Sequence, residues 1–406
     1  MAIPSRTSGR TSMHLAFFVP PAPGHVNPAL PLVAELVRRG HRVGFATGAS
    51  MVPAVRAAGA EPVPLPSEIP DRPLSGTAFT AGDLAAMLEG VLANARADLP
   101  VMLEHFGAER PDVVCFDAIN PFGRVVADSL GVPAAALVPN LTGHDDAPLS
   151  ETFMPEAFDF GDARLLAARR AMTDFAAEHG VGALPDPMSE VMAPLNLVFV
   201  PRRFQPGGEA FDDRFHFVGP SPRPEDASRW RPRRPDAPLV FVSLGTVFNE
   251  RPDFFRACAE AFEGTPWQVA MSVGSHLEVS TLGTLPENVE VRPHFPQLAV
   301  LREADVFVTH CGMGSTMEAL YHEVPMVAAP QVPEQRRNAR RVAELGLGRL
   351  LEEPDAASIR AAVESVADDA RIGEALSRMR EAIEESGGAA AGADALERYV
   401  DEAKTA

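Results

Sequence analysis

The sequence predicts an α/β protein of two doubly wound parallel-sheet domains that face each other across a cleft. Short apolar runs alternate with helical patterns along the chain, which is the rhythm of a parallel sheet. A Pro-rich stretch near the middle interrupts this rhythm, which then restarts. The length, 406 residues with 46% apolar, suffices for two or three buried cores rather than one.

Residues 1–12 are small, polar and aperiodic, and read as a flexible extension. An apolar run over 14–19 is the first strand, a Pro/Gly loop over 20–25 comes next, and a helix over 27–39 puts Leu30, Val33, Ala34 and Val37 on one face. Gly40 stops that helix. Further strands are expected over 42–46, 62–65, 112–116 and 134–138, with a helix from about residue 121, so the first domain spans 13–218. Pro blocks helix and withholds a sheet donor, so 219–238 is the linker and the expected hinge for domain closure. The second domain, 239–385, has strands over 239–243, 267–271, 289–291, 305–309 and 325–328, and helices over 253–262, 315–321 and 334–345. The charged helical stretch at the end, 386–406, is expected to pack back on the first domain.

Composition excludes several classes. With 36 Lys plus Arg against 55 Asp plus Glu the net charge is −19, which repels nucleic acid. Cys115, Cys258 and Cys311 are far apart and form no CxxC pair, so neither a zinc cage nor a disulfide framework is indicated and the chain reads as reduced and cytoplasmic. The apolar run after Arg6 and Arg10 is cut by Pro20 and Pro21, too short for a signal-peptide core, and no run reaches the ~20 apolar residues of a membrane helix.

Open parallel sheets bind ligands at the carboxyl ends of their strands, so the chemistry belongs to those loops. In the first half they carry Gly24, His25, Asn27 and Asp117. A histidine there is placed to act as a general base with a carboxylate to fix its tautomer, or simply to cap and pack the helix start. In the second half they carry Ser243, Leu244, Gly245 and Thr246, and the run His310 to Thr316 that leads into a helix. Hydroxyls, glycines and a helix N-terminus make an anion site suited to a phosphate or diphosphate, or else a tight turn capped by Ser315. A dinucleotide fingerprint fails, because Met317 stands at the third glycine position. GxxxxGK[ST], GxSxG and HExxH are absent, and so is Asp-x-Asp, so a Mg²⁺-bridged diphosphate is not indicated.

Taken together, Pro23 to Pro28, Ser243 to Thr246, Pro296-Gln297-Leu298, Thr309 to Glu318, and Pro330 to Asn338 resemble the family 1 glycosyltransferases, bacterial macrolide enzymes of the oleandomycin type in particular. The motifs fall in order over about residues 13–385. The resemblance implies the GT-B fold, two Rossmann-like domains facing across a cleft. It also implies inverting, metal-independent transfer of a sugar from a nucleoside diphosphate sugar to a hydroxyl of a lipophilic small molecule, with no cofactor. His25 matches the family's base and Asp117 its partner acid. His310, Gly312, Gly314, Ser315 and Thr316, with Ser243 and Thr246, match the diphosphate site. Glu318 matches the ribose-binding acid, and Glu334 with Gln335 the pair that binds the sugar's hydroxyls. That polar pair favours a fully hydroxylated hexose, glucose first, over a deoxysugar.

His294, Phe295 and Gln297 lie where the family holds the nucleotide base, but His294 stands where Trp is usual and offers a smaller stacking face. Uridine is favoured and thymidine is the alternative. Arg336 and Arg337 are expected on a solvated helix face. The acceptor is expected against 67–80 and 140–192, where Phe153, Met154, Phe158, Phe160, Met172, Phe175, Met188 and Met192 suit a greasy, variable ligand unless they are core; Asp145 and Asp146 are expected to be exposed loop acids. A monomer or homodimer is expected. The competing readings are a sugar-nucleotide epimerase of the same shape and a non-catalytic nucleotide-sugar-binding homologue.

Overall fold

The computed structural model describes residues 12–68, 79–143, 158–182, 184–185, 191–221, 230–245 and 249–405. The first domain runs β1 (His14–Phe18), α1 (Pro23–Arg38), β2 (Arg42–Gly48), α2 (Val52–Ala57), β3 (Glu61–Leu65), α3 (Ala81–Ala108), β4 (Val113–Asp117), α4 (Phe122–Leu130), β5 (Ala134–Val138), α5 (Ala163–Glu178), β6 (Leu195–Val198) and β7 (Phe215–Phe217). Its strands form a seven-stranded parallel sheet in the order β3-β2-β1-β4-β5-β6-β7.

The second domain runs β8 (Leu239–Ser243), α6 (Pro252–Ala261), β9 (Gln268–Ser272), β10 (Val289–Arg292), α7 (Gln297–Leu301), β11 (Val306–Thr309), α8 (Met313–Tyr321), β12 (Met326–Ala328), α9 (Pro333–Glu344), β13 (Gly348–Leu350), α10 (Ala356–Ala367) and α11 (Ala370–Glu385). Its sheet is six-stranded, parallel, in the order β10-β9-β8-β11-β12-β13. Helices cover both faces, so central strands read as unbroken apolar runs: every residue of β4, β5 and β8 is buried.

One core lies between the first sheet, α1 and the last helix, α12 (Gly388–Thr405), and contains Leu15, Phe17, Val33, Leu36, Leu396 and Val400. The other covers the opposite face of that sheet and continues into the second domain through Phe204, Trp230 and Phe241. The final helix thus belongs to the first domain's packing. Tyr399 donates its hydroxyl to the Ala134 carbonyl (3.0 Å), and Glu397 meets both His41 Nε2 (2.9 Å) and Arg39 (3.2 Å). The chain crosses between domains twice, and the crossings lie side by side, because Gly388 N–H donates to the Val218 carbonyl at 2.9 Å.

Three local expectations change. Helix α1 starts at Pro23 rather than after the Pro/Gly loop, since Pro is tolerated at the first helical position, where no N–H partner is needed. His25 is therefore a helix residue. The end of the linker is strapped to the second domain, with Trp230 buried edge-on to Phe295 and Gln268 donating to the Arg234 and Ala237 carbonyls. Strand β4 ends on Asp117, one residue later than its apolar run suggests.

Candidate functional site

Each sheet has a point from which consecutive crossovers run in opposite directions, and there a crevice opens at the strands' carboxyl ends. In the first sheet it lies between β1, continued on one side by β2 and β3, and β4, continued on the other by β5. Phe18 at the end of β1 pairs with Phe116 near the end of β4, so the segments leaving the two strands start side by side. His25 in the first turn of α1 and Asp117 at the tip of β4 meet there, Nδ1 to Oδ2, at 2.8 Å. The Asp117 side chain is buried, and its Oδ1 accepts from the Ile119 N–H at 3.0 Å. A carboxylate only accepts, so the imidazole presents N–H at Nδ1 and its Nε2 carries the lone pair. The His25 side chain keeps 25% of its surface open. Burial pushes the His25 pKa down, but the Asp117 charge and hydrogen bond, joined by the charge of Glu334 from the other domain, outweigh it and hold the pKa above its ordinary value.

The second sheet repeats the geometry between β8 and β11, where Ser243 pairs with Thr309. His310 comes directly after, buried between two glycines. A Cβ on Gly312 would stand 2.4 Å from His310 Nε2 and one on Gly245 2.5 Å, so only glycine admits the ring on either side. Gly245 also has φ +80°. Burial pushes the His310 pKa down to about 4; the Ser243 main chain lies close enough to oppose this a little. The ring is neutral at physiological pH.

Gly312 is the N-cap of α8 and offers no side chain, so the N–H groups of Met313, Gly314 and Ser315 have no partner within the helix. They form the positive end of a helix dipole beside a neutral imidazole, an arrangement that suits a phosphate. Gln297 Nε2, in the first turn of α7, donates to Ser315 Oγ at 3.0 Å and Glu318 Oε2 at 2.6 Å, fixing the hydroxyl and the acid together.

The other residues singled out from the sequence are less uniform. Glu334 opens α9, where Oε1 accepts from Asn140 Nδ2 of the first domain at 2.5 Å and from Asn338 Nδ2 at 3.2 Å. Gln335 is buried and its Oε1 accepts from the Gln331 and Val332 N–H groups at 2.8 and 3.3 Å, so its carbonyl caps its own helix. Thr316 is fully buried and presents no surface to the cleft, because the helix turns it inward one residue after Ser315. Phe295 is a core residue packed on Trp230 and Phe241, while the exposed His294 bonds Ser275 Oγ through Nε2 at 2.7 Å. Arg337 is not solvated: it is buried, and burial lowers its pKa to about 10 with Glu334 opposing, whereas Arg336 is exposed as expected. Thr246 lies outside the described residues.

On the acceptor side, Phe153, Met154, Met188, Asp145 and Asp146 fall outside the described residues. Phe175 and Met192 are core, Phe175 edge-on to Phe122 at 5.3 Å, and Met172 packs against the same core. Phe158 stays near the surface, stacked on Phe79 at 6.3 Å and meeting the exposed Phe160 at 4.8 Å. Asn140, which motif spacing does not single out, and Asn338, the last residue of the Pro330–Asn338 motif, both serve Glu334. Asn140's signal in the sequence is its place just beyond the carboxyl end of β5.

The family described as "Erythromycin biosynthesis protein CIII-like, C-terminal domain" matches residues 271–388. Over 396 residues the chain is 38% identical to demethyllactenocin mycarosyltransferase of Streptomyces fradiae, covering 95% of this chain and 86% of that one. It is 34% identical to oleandomycin glycosyltransferase of Streptomyces antibioticus, covering 96% and 92%. Among solved structures, the calicheamicin glycosyltransferase CalG4 superposes with a TM-score of 0.82 at 36% identity, over 97% of this chain and 100% of that one. Two parallel-sheet domains with facing crevices and this kinship define a glycosyltransferase of the GT-B fold. The chain belongs to the family 1 glycosyltransferases, in the neighbourhood of the macrolide enzymes. Among the described residues no helix is long and apolar enough to cross a membrane.

Proposed function

We propose that the enzyme transfers a hexose, glucose first, with inversion from a nucleoside diphosphate sugar to a hydroxyl of a lipophilic natural product such as a macrolide, polyketide or phenol. The observation that carries this reading is the His25–Asp117 pair at one sheet's crevice, opposite the His310–Gly312 turn at the other's. His25 Nε2 takes the acceptor hydroxyl's proton as the oxygen bonds to the anomeric carbon. The bond from that carbon to the diphosphate breaks, and the diphosphate leaves with the electron pair. Asp117 steadies the imidazolium formed, and the α8 N–H groups with His310 receive the charge that develops on the leaving oxygen. Attack from the face opposite the diphosphate turns an α-donor into a β-product. Ser243 and Ser315 belong to the same phosphate neighbourhood, and the motif assigns Thr246 to it.

Glu318 is assigned to the ribose and Glu334 to the sugar's hydroxyls, with UDP favoured and dTDP second. The sequence offers no Asp-x-Asp for a bridging metal, and the helix terminus supplies the positive potential instead. Relatives named for oleandomycin, calicheamicin and demethyllactenocin support a natural-product acceptor. The exposed Phe160, edge-on to the half-buried Phe158, supports an apolar one.

The test is mass spectrometry after incubation with EDTA, UDP-glucose or dTDP-glucose, and a panel of macrolides and phenols. A product heavier by one hexose, lost in His25→Ala while UDP still binds, is expected. UDP binding with no adduct across a wide panel would favour the non-catalytic homologue, and conversion of the sugar nucleotide itself would favour the epimerase.

A further inference from the structure

Glu334 is held from two domains at once. Both of its hydrogen bonds fall on Oε1, from Asn140 and Asn338, and among the described residues Oε2 takes none. Asn140 cannot turn its amide round, because its own Oδ1 accepts from the Leu141 N–H at 2.8 Å, leaving Nδ2 to donate. The loop carrying Asn140 is fixed in turn. Gln205, buried in the turn after β6, accepts from the Thr142 N–H at 3.1 Å and donates to the Thr142 carbonyl at 2.9 Å, a two-point clamp. The same turn is gripped from the second domain. Arg341 donates through Nε to the Phe204 carbonyl at 2.8 Å and through an Nη to that of Arg203 at 3.0 Å.

Glu334, Asn338 and Arg341 lie at i, i+4 and i+7, one face of α9. The bonds therefore close a ring from Glu334 through Asn140, Thr142, Gln205 and the 203–205 turn to Arg341 and back along α9. Asn338 ties the ring to the phosphate turn by donating to the Cys311 carbonyl at 3.0 Å.

We infer that Arg341 and Gln205 are positioning residues for the donor sugar: they set the first domain's 140–142 loop against α9, so that Asn140 occupies one oxygen of Glu334 and leaves the other for a sugar hydroxyl. This rests on the assignment of Glu334 to the donor sugar. Neither residue touches the donor; they act through Asn140.

Calorimetry separates the sugar from the nucleotide. Dissociation constants of UDP-glucose and UDP, with the dTDP pair in parallel, are measured for wild type, Glu334→Gln, Asn140→Ala, Arg341→Ala, Arg341→Lys, Gln205→Leu and Asn140→Ala/Arg341→Ala. A hydrogen bond to a charged group corresponds to roughly a tenfold loss of affinity. Arg341→Ala and Gln205→Leu should each weaken UDP-glucose about five- to tenfold while leaving UDP within about twofold, because the diphosphate turn lies wholly in the second domain. Arg341→Lys should recover part of the loss, and the double variant should lose no more than Asn140→Ala alone. UDP-glucose unchanged in Arg341→Ala and Gln205→Leu, equal weakening of UDP, or additive losses in the double variant would each overturn the inference. If Arg341→Ala does not fold, the Gln205→Leu and Arg341→Lys comparison decides it by the same criterion. If Glu334→Gln leaves UDP-glucose unchanged, the sugar assignment falls and the inference with it. If only Glu334→Gln weakens it, the assignment stands and the positioning role falls.

Discussion

His25 Nδ1 lies 2.8 Å from Asp117 Oδ2, although 92 residues separate them, because β1 and β4 are neighbours at the centre of the first sheet. The pair fixes which imidazole nitrogen is free and raises the pKa of the ring.

Replacing Asp117 by Asn keeps the shape and removes the charge. A base must be neutral, so activity rises with pH through the His25 pKa. Asp117→Asn should therefore move the acidic limb of kcat/KM to lower pH, and cut its plateau by a factor of about 10² to 10⁴ as tautomer control is lost. An unmoved limb in the pH–rate profile would remove Asp117 from the mechanism.

The same raised pKa makes a stability statement. The folded ring holds its proton more tightly than the unfolded one, so this contribution is present below about pH 6.5 and disappears as pH rises through the folded value. His25→Gln should flatten that part of the stability curve, measured by urea titration at a series of pH values.

His310 has the opposite sign. Its folded pKa of about 4 lies below the ordinary 6.5, so the contribution is intact above pH 6.5 and is lost between there and pH 4. The loss reaches about 3 kcal/mol at most. His310→Gln should show a smaller drop over that interval in the same titrations, and an unchanged drop would place the acid sensitivity elsewhere.

Gly312→Ala puts a methyl group 2.4 Å from His310 Nε2. Relieving the clash means moving the ring or the α8 N-terminus, a cost of about 1–3 kcal/mol. UDP should bind at least tenfold more weakly by calorimetry, with the melting temperature reduced only modestly.

Glu397→Ala leaves His41 and Arg39 without their buried acid on the last helix. His41 Nδ1 accepts from the Met13 N–H, so the Nε2 proton has nowhere else to go. Arg39 keeps Glu35 (2.8 Å) and Asp394 (2.6 Å), so the loss is chiefly the His41 N–H left buried without its acceptor, about 1–3 kcal/mol. The thermal midpoint should fall by several degrees with the affinity for UDP unaltered.

The two sheets were legible in the sequence because strands covered on both faces must be apolar throughout, and β5 and β8 match their expected bounds residue for residue. Crevice residues were legible for a related reason: polar groups at the carboxyl ends of buried strands have few other uses, and Asp117 and Ser243 end theirs, His310 follows its strand directly and His25 lies in the first turn of the helix after β1. Helix α3 escaped detection, since its 28 residues mix Ala, Gly and the buried Asp98 and give a weak apolar stripe. Strands β6, β7 and β13, three or four residues long, also escaped detection. Arg337 and Phe295 were misplaced for one cause. A local pattern shows that a residue can face out, but only the packing of Trp230 onto Phe295, or of α9 into its domain, shows that it does not. The Asn140–Glu334 bond spans 194 positions and two domains, and no spacing rule reaches it.

The side-by-side crossings at Val218 and Gly388 have a mechanical consequence. A single connection lets two bodies swivel freely, whereas two connections tied together form a two-ply strap that bends far more readily than it twists. Cutting one ply leaves the other intact, and α12 remains wedged into the first domain's core on the far side of the cut. A specific protease site engineered in place of residues 222–229 should therefore, once cut, yield two fragments on a denaturing gel that still elute as one particle in native buffer.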